Sequence, residues 1–182
     1  MYFIVFAILT LILIIVLVML RLAKHFRLQQ SQAKKKRAYQ KKHELKDGEF
    51  TIFEGVMRET KSQIFLLEKE TRALENPLNL EETLRCSKAI FQALMAEPKS
   101  LIQHGDFLYK SLPSLTDAVK ALREIEENKL ESQNIGEAKN EIVADINRLS
   151  KAILSDYESW IESQKEKVEI TTHAAEIEGF KA

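Results

Sequence analysis

Ile142-Val143-Ala144-Asp145-Ile146-Asn147-Arg148-Leu149-Ser150-Lys151-Ala152-Ile153-Leu154-Ser155-Asp156-Tyr157-Glu158-Ser159-Trp160 is the stretch whose pattern decides the fold class. Ile142, Ile146, Leu149, Ile153, Tyr157 and Trp160 recur at intervals of three and four, the spacing that stacks side chains on one face of an α-helix. The positions between them are mostly polar, so the segment has one apolar stripe and one wet face. A helix is expected from about Glu137 to Val168, and residues 169–182 lose the pattern and are expected to fray.

Working backwards, the same period recurs. Phe50, Phe53, Met57, Thr60, Ile64, Leu67, Thr71 and Leu74 form a heptad-like seam, which predicts a helix from about Glu49 to Leu74 after a break at Asp47-Gly48. Two Thr in the seam argue for packing within the chain rather than a long autonomous coiled coil. Ile52, Val56 and Phe65 are expected to widen the buried face. After a turn at Glu75-Asn76-Pro77-Leu78, Asn79 and Glu82 have capping-box spacing. The next helix carries Leu80, Thr83, Leu84, Ser87, Ile90, Phe91 and Leu94 inward and stops before Pro98. Pro98 suits the first turn of a short helix, Lys99 to His104, with Gly105 as its C-terminal cap and Asp106 capping another short helix. Pro113 is expected to start a helix that faces Leu115, Val119, Leu122 and Ile125 inward, and residues 132–136 to interrupt the chain. Glycine and proline number only five and three, and no strand alternation is present. Long runs of Glu, Lys, Ala, Leu and Gln favour helix throughout.

The amino-terminal run differs in kind. Tyr2 to Leu20 contains no charged side chain. At about 1.5 Å per residue it reaches roughly 28 Å, close to a hydrocarbon core of about 30 Å. It lacks a basic n-region, exceeds a signal-peptide h-region and is followed by Arg21-Leu22-Ala23-Lys24 rather than a small-x-small site. An uncleaved anchor is expected. Nine basic residues follow it: Arg21, Lys24, Arg27, Lys34, Lys35, Lys36, Arg37, Lys41 and Lys42, with no Asp or Glu before Glu44. Positive flanks stay inside. The chain is thus expected to cross a bacterial cell membrane once, with its N-terminus outside and its C-terminal domain in the cytoplasm. The single Cys86 forms no intrachain disulfide and suits a reducing compartment.

A net charge of zero hides a split: residues 21–43 carry +9 and residues 44–182 carry −9. Anionic headgroups attract the collar by about 1 kcal/mol per basic residue close to the surface and repel the body. The collar therefore serves topology or senses an anionic lipid surface. Nucleic acid is the weaker alternative for Lys34-Lys35-Lys36-Arg37 beside an anchor. The expected architecture is all-α: a single transmembrane helix (1–20), a basic juxtamembrane helix or linker (21–47), a cytoplasmic bundle of about four or five helices (48–169) and a frayed tail (170–182).

Chemistry-bearing motifs are scarce. His25, His43, His104 and His173 form no pair at helical spacing. Gly-Lys phosphate loops, Cys-x-x-Cys pairs, His-Glu-x-x-His and Gly-x-Ser-x-Gly are absent from the sequence. No catalytic residue, cofactor or metal site is assigned. His104-Gly105-Asp106 is the nearest polar constellation. It can shuttle a proton if both side chains meet in a pocket, but at a helix junction it reads as a pair of caps. Cys86 is expected to be an inert core thiol. Tyr157 and Trp160 are expected in the core, with a partner surface as the alternative.

Ile90-Phe91-Gln92-Ala93-Leu94, Glu97-Pro98 and Phe107-Leu108-Tyr109-Lys110-Ser111-Leu112-Pro113-Ser114-Leu115 resemble the bacterial 5-bromo-4-chloroindolyl phosphate hydrolysis (XpaC-like) family. The resemblance spans about residues 60–165 and rests on Pro98 and Leu112-Pro113. Leu122 stands where relatives often carry Tyr. It implies a helical, membrane-associated protein, phosphate-ester hydrolysis by its name, and a toxic-anion-resistance (TelA-like) protein as a partner. It carries over no catalytic residue. Three functions are expected to compete: a membrane-anchored adaptor or scaffold for a cytoplasmic protein, a phosphate-ester hydrolase or an accessory to one, and a sensor of anionic lipid.

Overall fold

The computed structural model describes residues 30–128 and 132–169 together with Leu17, Met19, Leu20, Arg21 and Lys24, and the backbone alone for residues 170–179. The expected span, Tyr2 to Leu20, lies outside the described residues apart from Leu17, Met19 and Leu20. Among the described residues no helix is long and apolar enough to cross a membrane. Those residues are helical, with no strand. Two compact units divide the chain, Met1–Phe50 and Thr51–Ala182.

In the first unit, helix α1 covers residues 30–42. It ends at Glu44, not at Asp47-Gly48. Glu44 takes a left-handed φ of 53°; its N–H bonds Lys41 O at 3.3 Å and the Leu45 N–H bonds Gln40 O at 3.1 Å, the paired reversals of a Schellman ending. Gln40 Nε2 donates to Asp47 Oδ1 at 2.7 Å. The Lys46 N–H donates to Glu49 Oε2 at 2.9 Å, half of a capping box that starts the next helix at once. Tyr39 packs beside His43 and Phe50, at ring separations of 4.4 and 6.4 Å, and burial pushes its hydroxyl above the ordinary tyrosine range.

Helix α2 (Asp47–Ala73) buries Phe53, Met57, Thr60, Ile64, Leu67 and Glu70. From Phe53 to Leu67 the predicted seam is the buried row; Phe50 and Thr71 are half-buried, and Glu70 is buried beside Thr71. Thr60 is tolerated because its Oγ1 donates to Val56 O at 2.8 Å. Ile52 and Phe65, expected to widen the face, are 64% and 70% exposed. Each sits one residue from the seam, about 100° round the helix; Val56, the third residue expected there, is half-buried.

Helix α3 (Glu81–Ala96) turns Thr83, Cys86, Ser87, Ile90 and Leu94 inward. The Asn79 capping box does not form. The boundary residue is Leu80, without a side-chain cap bond, and its own burial at 2% exposure anchors the turn. A 3-10 helix, Pro98–Ile102, follows with Pro98 in its first turn. Gly105 is not a left-handed cap, since no glycine has positive φ among the described residues; it already belongs to the next helix. Asp106 is also helical and makes no cap bond.

A π-turn at Phe107–Ser111 leads without a break into α4 (Leu112–Asn128). Pro113 explains the wide turn. It offers no N–H to Tyr109 O and its ring crowds that carbonyl. The Leu112 N–H instead reaches back five residues to Phe107 O, and the helix passes through the proline instead of starting there. Helix α5 (Gln133–Gly179) begins at Ser132, whose Oγ accepts the Ile135 N–H at 3.3 Å. Its backbone stays helical to Gly179, beyond the expected end at Val168.

Helix α4 lies along α5, α3 packs on α5, and the π-turn touches both α4 and α5. Leu67, Ile90, Leu94, Leu112, Leu115, Val119, Ile146 and Ile153 are wholly buried, each worth about 1.5–3 kcal/mol of transfer free energy. Helix α5 has 47 residues, about 70 Å, against 17 residues, about 25 Å, for α4. Past Ile153 its stripe loosens: Tyr157 and Trp160 are half-buried, and Ile161 and Val168 are 45% and 64% exposed.

Candidate functional site

Among the buried polar residues, Glu126 and His104 each reach across elements far apart in sequence. The first is structural. Glu126 of α4 accepts the Glu75 N–H at 2.9 Å, Asn76 Nδ2 at 3.2 Å and Lys139 Nζ at 3.1 Å. It thereby ties the α2–α3 turn to α4 and α5. Burial raises its carboxyl, but Lys139, Asn76 and the Glu75 N–H outweigh burial and hold it below the usual carboxylate range. Three donors converge on Glu126, which fits a fastening between elements. Glu70, paired with Arg123, joins α2 to α4 in the same way.

The second is His104. The Ser100 N–H and Oγ both donate to Glu97 O, at 3.0 and 2.7 Å, which tightens the turn after Pro98. The His104 carbonyl accepts the Leu108 N–H at 3.0 Å, so its backbone opens the next helix. Its ring is 3% exposed, and Nδ1 lies 2.9 Å from Asp156 Oδ2 on α5. With Nδ1–H donating to the Asp156 carboxyl, Nε2 is the remaining hydrogen-bonding position of the ring. Nε2 is buried and has no hydrogen-bond partner.

The ring lines a groove of about 220 Å³. From α5 come Asp156, Ser159, Trp160, Ser163 and Lys167; Gln103 lies on the other side with His104. The α5 residues are spaced by three and four and so share one helix face. Ser159 Oγ and Ser163 Oγ donate to the carbonyls of Ser155 and Trp160, at 2.8 and 2.7 Å, leaving their oxygen lone pairs open. Lys167 Nζ stands 3.8 Å from Glu97 Oε2. The Trp160 ring lies 5.8 Å from that of Tyr157. The groove is smaller than the roughly 300–1,000 Å³ of drug-sized sites and suits a compact group. A His held by Asp at one nitrogen and free at the other can take up, deliver or share a proton, or act as a nucleophile.

The sequence singled out His104 but gave it the wrong neighbour. Asp106 is 80% exposed and pairs with Lys110 at 2.7 Å, which raises the lysine above its ordinary value. Asp156 is 52 residues from His104, among the polar positions of the α5 segment. Its position on the flank of the stripe, between Ile153 and Trp160 and followed by Ser159 and Ser163, is the signal that would have found it. Cys86 is buried, and its thiol is pushed up by burial and by Glu82, as an inert core thiol would be. Of the cationic collar, Arg21, Lys24, Lys34, Lys35, Lys36, Arg37, Lys41 and Lys42 are exposed, and Arg27 lies outside the described residues.

A family model described as 5-bromo-4-chloroindolyl phosphate hydrolysis protein matches residues 1–172. The chain belongs to that family. The match takes in the N-terminal run, the collar, the bundle and the residues of the His104 groove. No curated protein and no solved structure matches the chain.

Proposed function

We propose that this family member is a single-pass protein of the bacterial cell membrane whose helical body, on the cytoplasmic side, is an adaptor that docks a protein partner. Tyr2 to Leu20 is the anchor and the nine basic residues of the collar lie against anionic headgroups. The observation that carries the adaptor reading is the overrun of α5. The helix continues well past its last fully buried residue, Ile153, with Ile161 and Val168 exposed seven residues apart on one face. A helix with exposed apolar residues such as Ile161 and Val168 offers an edge to a partner helix. Capture of the full chain from gently solubilised membranes is expected to return a stoichiometric protein, lost in the double variant Ile161→Glu, Val168→Glu. Recovery of the chain alone at native levels refutes this reading. For the topology, protease outside intact spheroplasts is expected to leave the C-terminal helices uncut.

A second reading is favoured by the His104–Asp156 pair: hydrolysis of phosphate esters, the activity in the family's description. Full-length protein in detergent would then cleave an aryl phosphate, with or without Mg²⁺. His104→Ala and Asp156→Ala would abolish the cleavage and Asp106→Ala would not. Activity unaffected by the first two variants places the chemistry elsewhere.

A further inference from the structure

Two charged rows of opposite sign lie outside the buried faces of the helical unit. On the outer face of α2, Arg58, Lys61, Phe65, Lys69 and Arg72 follow one another at spacings of three and four. All five are exposed, and the Phe65 ring stands at the centre of the row. On α5, Glu158, Glu162, Glu166 and Glu169 keep the same spacing, and all are exposed with Ile161 at their edge. Residues 44–182 together carry −9, so a cationic row with an aromatic centre runs against the charge of its own body. We propose that α2 of one copy docks along α5 of a second copy of this chain, its basic row against the second copy's acidic row and Phe65 against the second copy's Ile161.

The rows match in length as well as sign. Arg58 to Lys69 and Glu158 to Glu169 each span eleven residues, about 16 Å of helix. Among the described residues Arg58 and Lys61 have no acidic partner, and Glu162 and Glu166 have no basic one. The remaining members are engaged within their own copy: Lys69 Nζ lies 3.6 Å from Glu70, which Arg123 also holds, Arg72 pairs with Glu68, and Lys165 lies 3.9 Å from Glu169. A lipid surface fits less well. It would attract the α2 row, repel the acidic body around it and leave the α5 row unmatched. A second copy supplies both signs, since each copy carries both rows, and a two-fold pair makes the contact twice. Phe65 gives the contact an apolar centre, where binding energy concentrates, and the charges around it set register and partner choice. The inference rests on the α5 docking edge of the adaptor reading and names its occupant.

The test mixes two differently tagged forms of the full-length chain in nonionic detergent, captures one and measures the other. Wild-type copies are expected to capture each other, with recovery falling at least about fivefold when salt rises from about 0.1 M to about 1 M and the Debye length shrinks from about 10 Å to about 3 Å. The double reversals Arg58→Glu, Lys61→Glu and Glu162→Lys, Glu166→Lys are each expected to weaken self-capture at least about tenfold. Circular dichroism is expected to be unchanged in both, because all four side chains are exposed. Mixing one reversed form with the other puts opposite charges back across the contact and is expected to restore capture to within about threefold of wild type. Phe65→Ala is expected to weaken it at least about fivefold. Reversed forms that fail to rescue each other, or self-capture that ignores both reversals, overturn the proposal. Copies that stay apart, with Lys61 shielded from acetylation when nanodiscs contain anionic lipid, would assign the α2 row to the membrane and also overturn it. Self-capture with no other protein recovered from native membranes keeps the inference and removes a separate adaptor partner. A different protein recovered in stoichiometric amount without self-capture keeps the adaptor reading and removes the inference.

Discussion

Glu126 and His104 are both buried in the helical unit and both reach across elements far apart in sequence, yet they end differently. Glu126 meets an amide N–H, a side-chain amide and an ammonium, so its carboxylate is fully engaged. His104 spends one ring nitrogen on Asp156 and keeps the other unmatched beside a groove. A saturated buried charge serves as a fastening between helices. A half-satisfied buried base leaves hydrogen-bonding capacity that folding itself does not use.

The contrast can be broken by mutation. Glu126→Ala removes one acceptor from three donors and is expected to destabilise the helical unit by about 3 kcal/mol, read by urea unfolding in a fixed detergent. A loss under about 1 kcal/mol would mean the junction is an ordinary surface contact. The pH dependence sharpens the same point. The folded Glu126 carboxyl lies below its unfolded value, so the unfolded chain binds the proton more readily. The stability Glu126 contributes is present above the ordinary carboxylate range and is lost as pH falls through the lower, folded value. The gap between the wild type and Glu126→Gln should narrow over that fall, and a gap that widens in acid contradicts the assignment.

His104→Gln should be milder for folding, about 1 kcal/mol. An unfolding cost as large as that of Glu126→Ala would make the histidine one more fastening. At the small end, Asp106→Ala is expected to change stability by less than about 0.5 kcal/mol, since its pair with Lys110 is solvent-exposed. A large effect there would restore the adjacent His-Asp reading that the fold displaced.

How much of this was legible depends on distance along the chain. Phe53, Met57, Ile64 and Leu67 on α2, and Ile146 and Ile153 on α5, could be named in advance because a helical period is a local property. Pro98 and Leu112-Pro113 carried the family resemblance that the match over residues 1–172 bears out. Ile52 and Phe65 could not be placed, because the width of a buried stripe depends on what covers it. The ending of α1 was misplaced because Glu44, not a glycine, adopts the left-handed turn. The continuity through Pro113 was hidden because a π-turn leaves no signature in composition.

By itself the sequence determined an all-helical chain, the apolar N-terminal run with its cationic neighbour, the family and most of the core, since all of these rest on composition and on residues three or four apart. Only the tertiary structure decided that His104 belongs with Asp156 instead of Asp106, and that Glu126 is buried where Ile125 was expected. Both depend on contacts across about fifty residues. Such pairings are selected by the packing of whole helices, which no local period encodes.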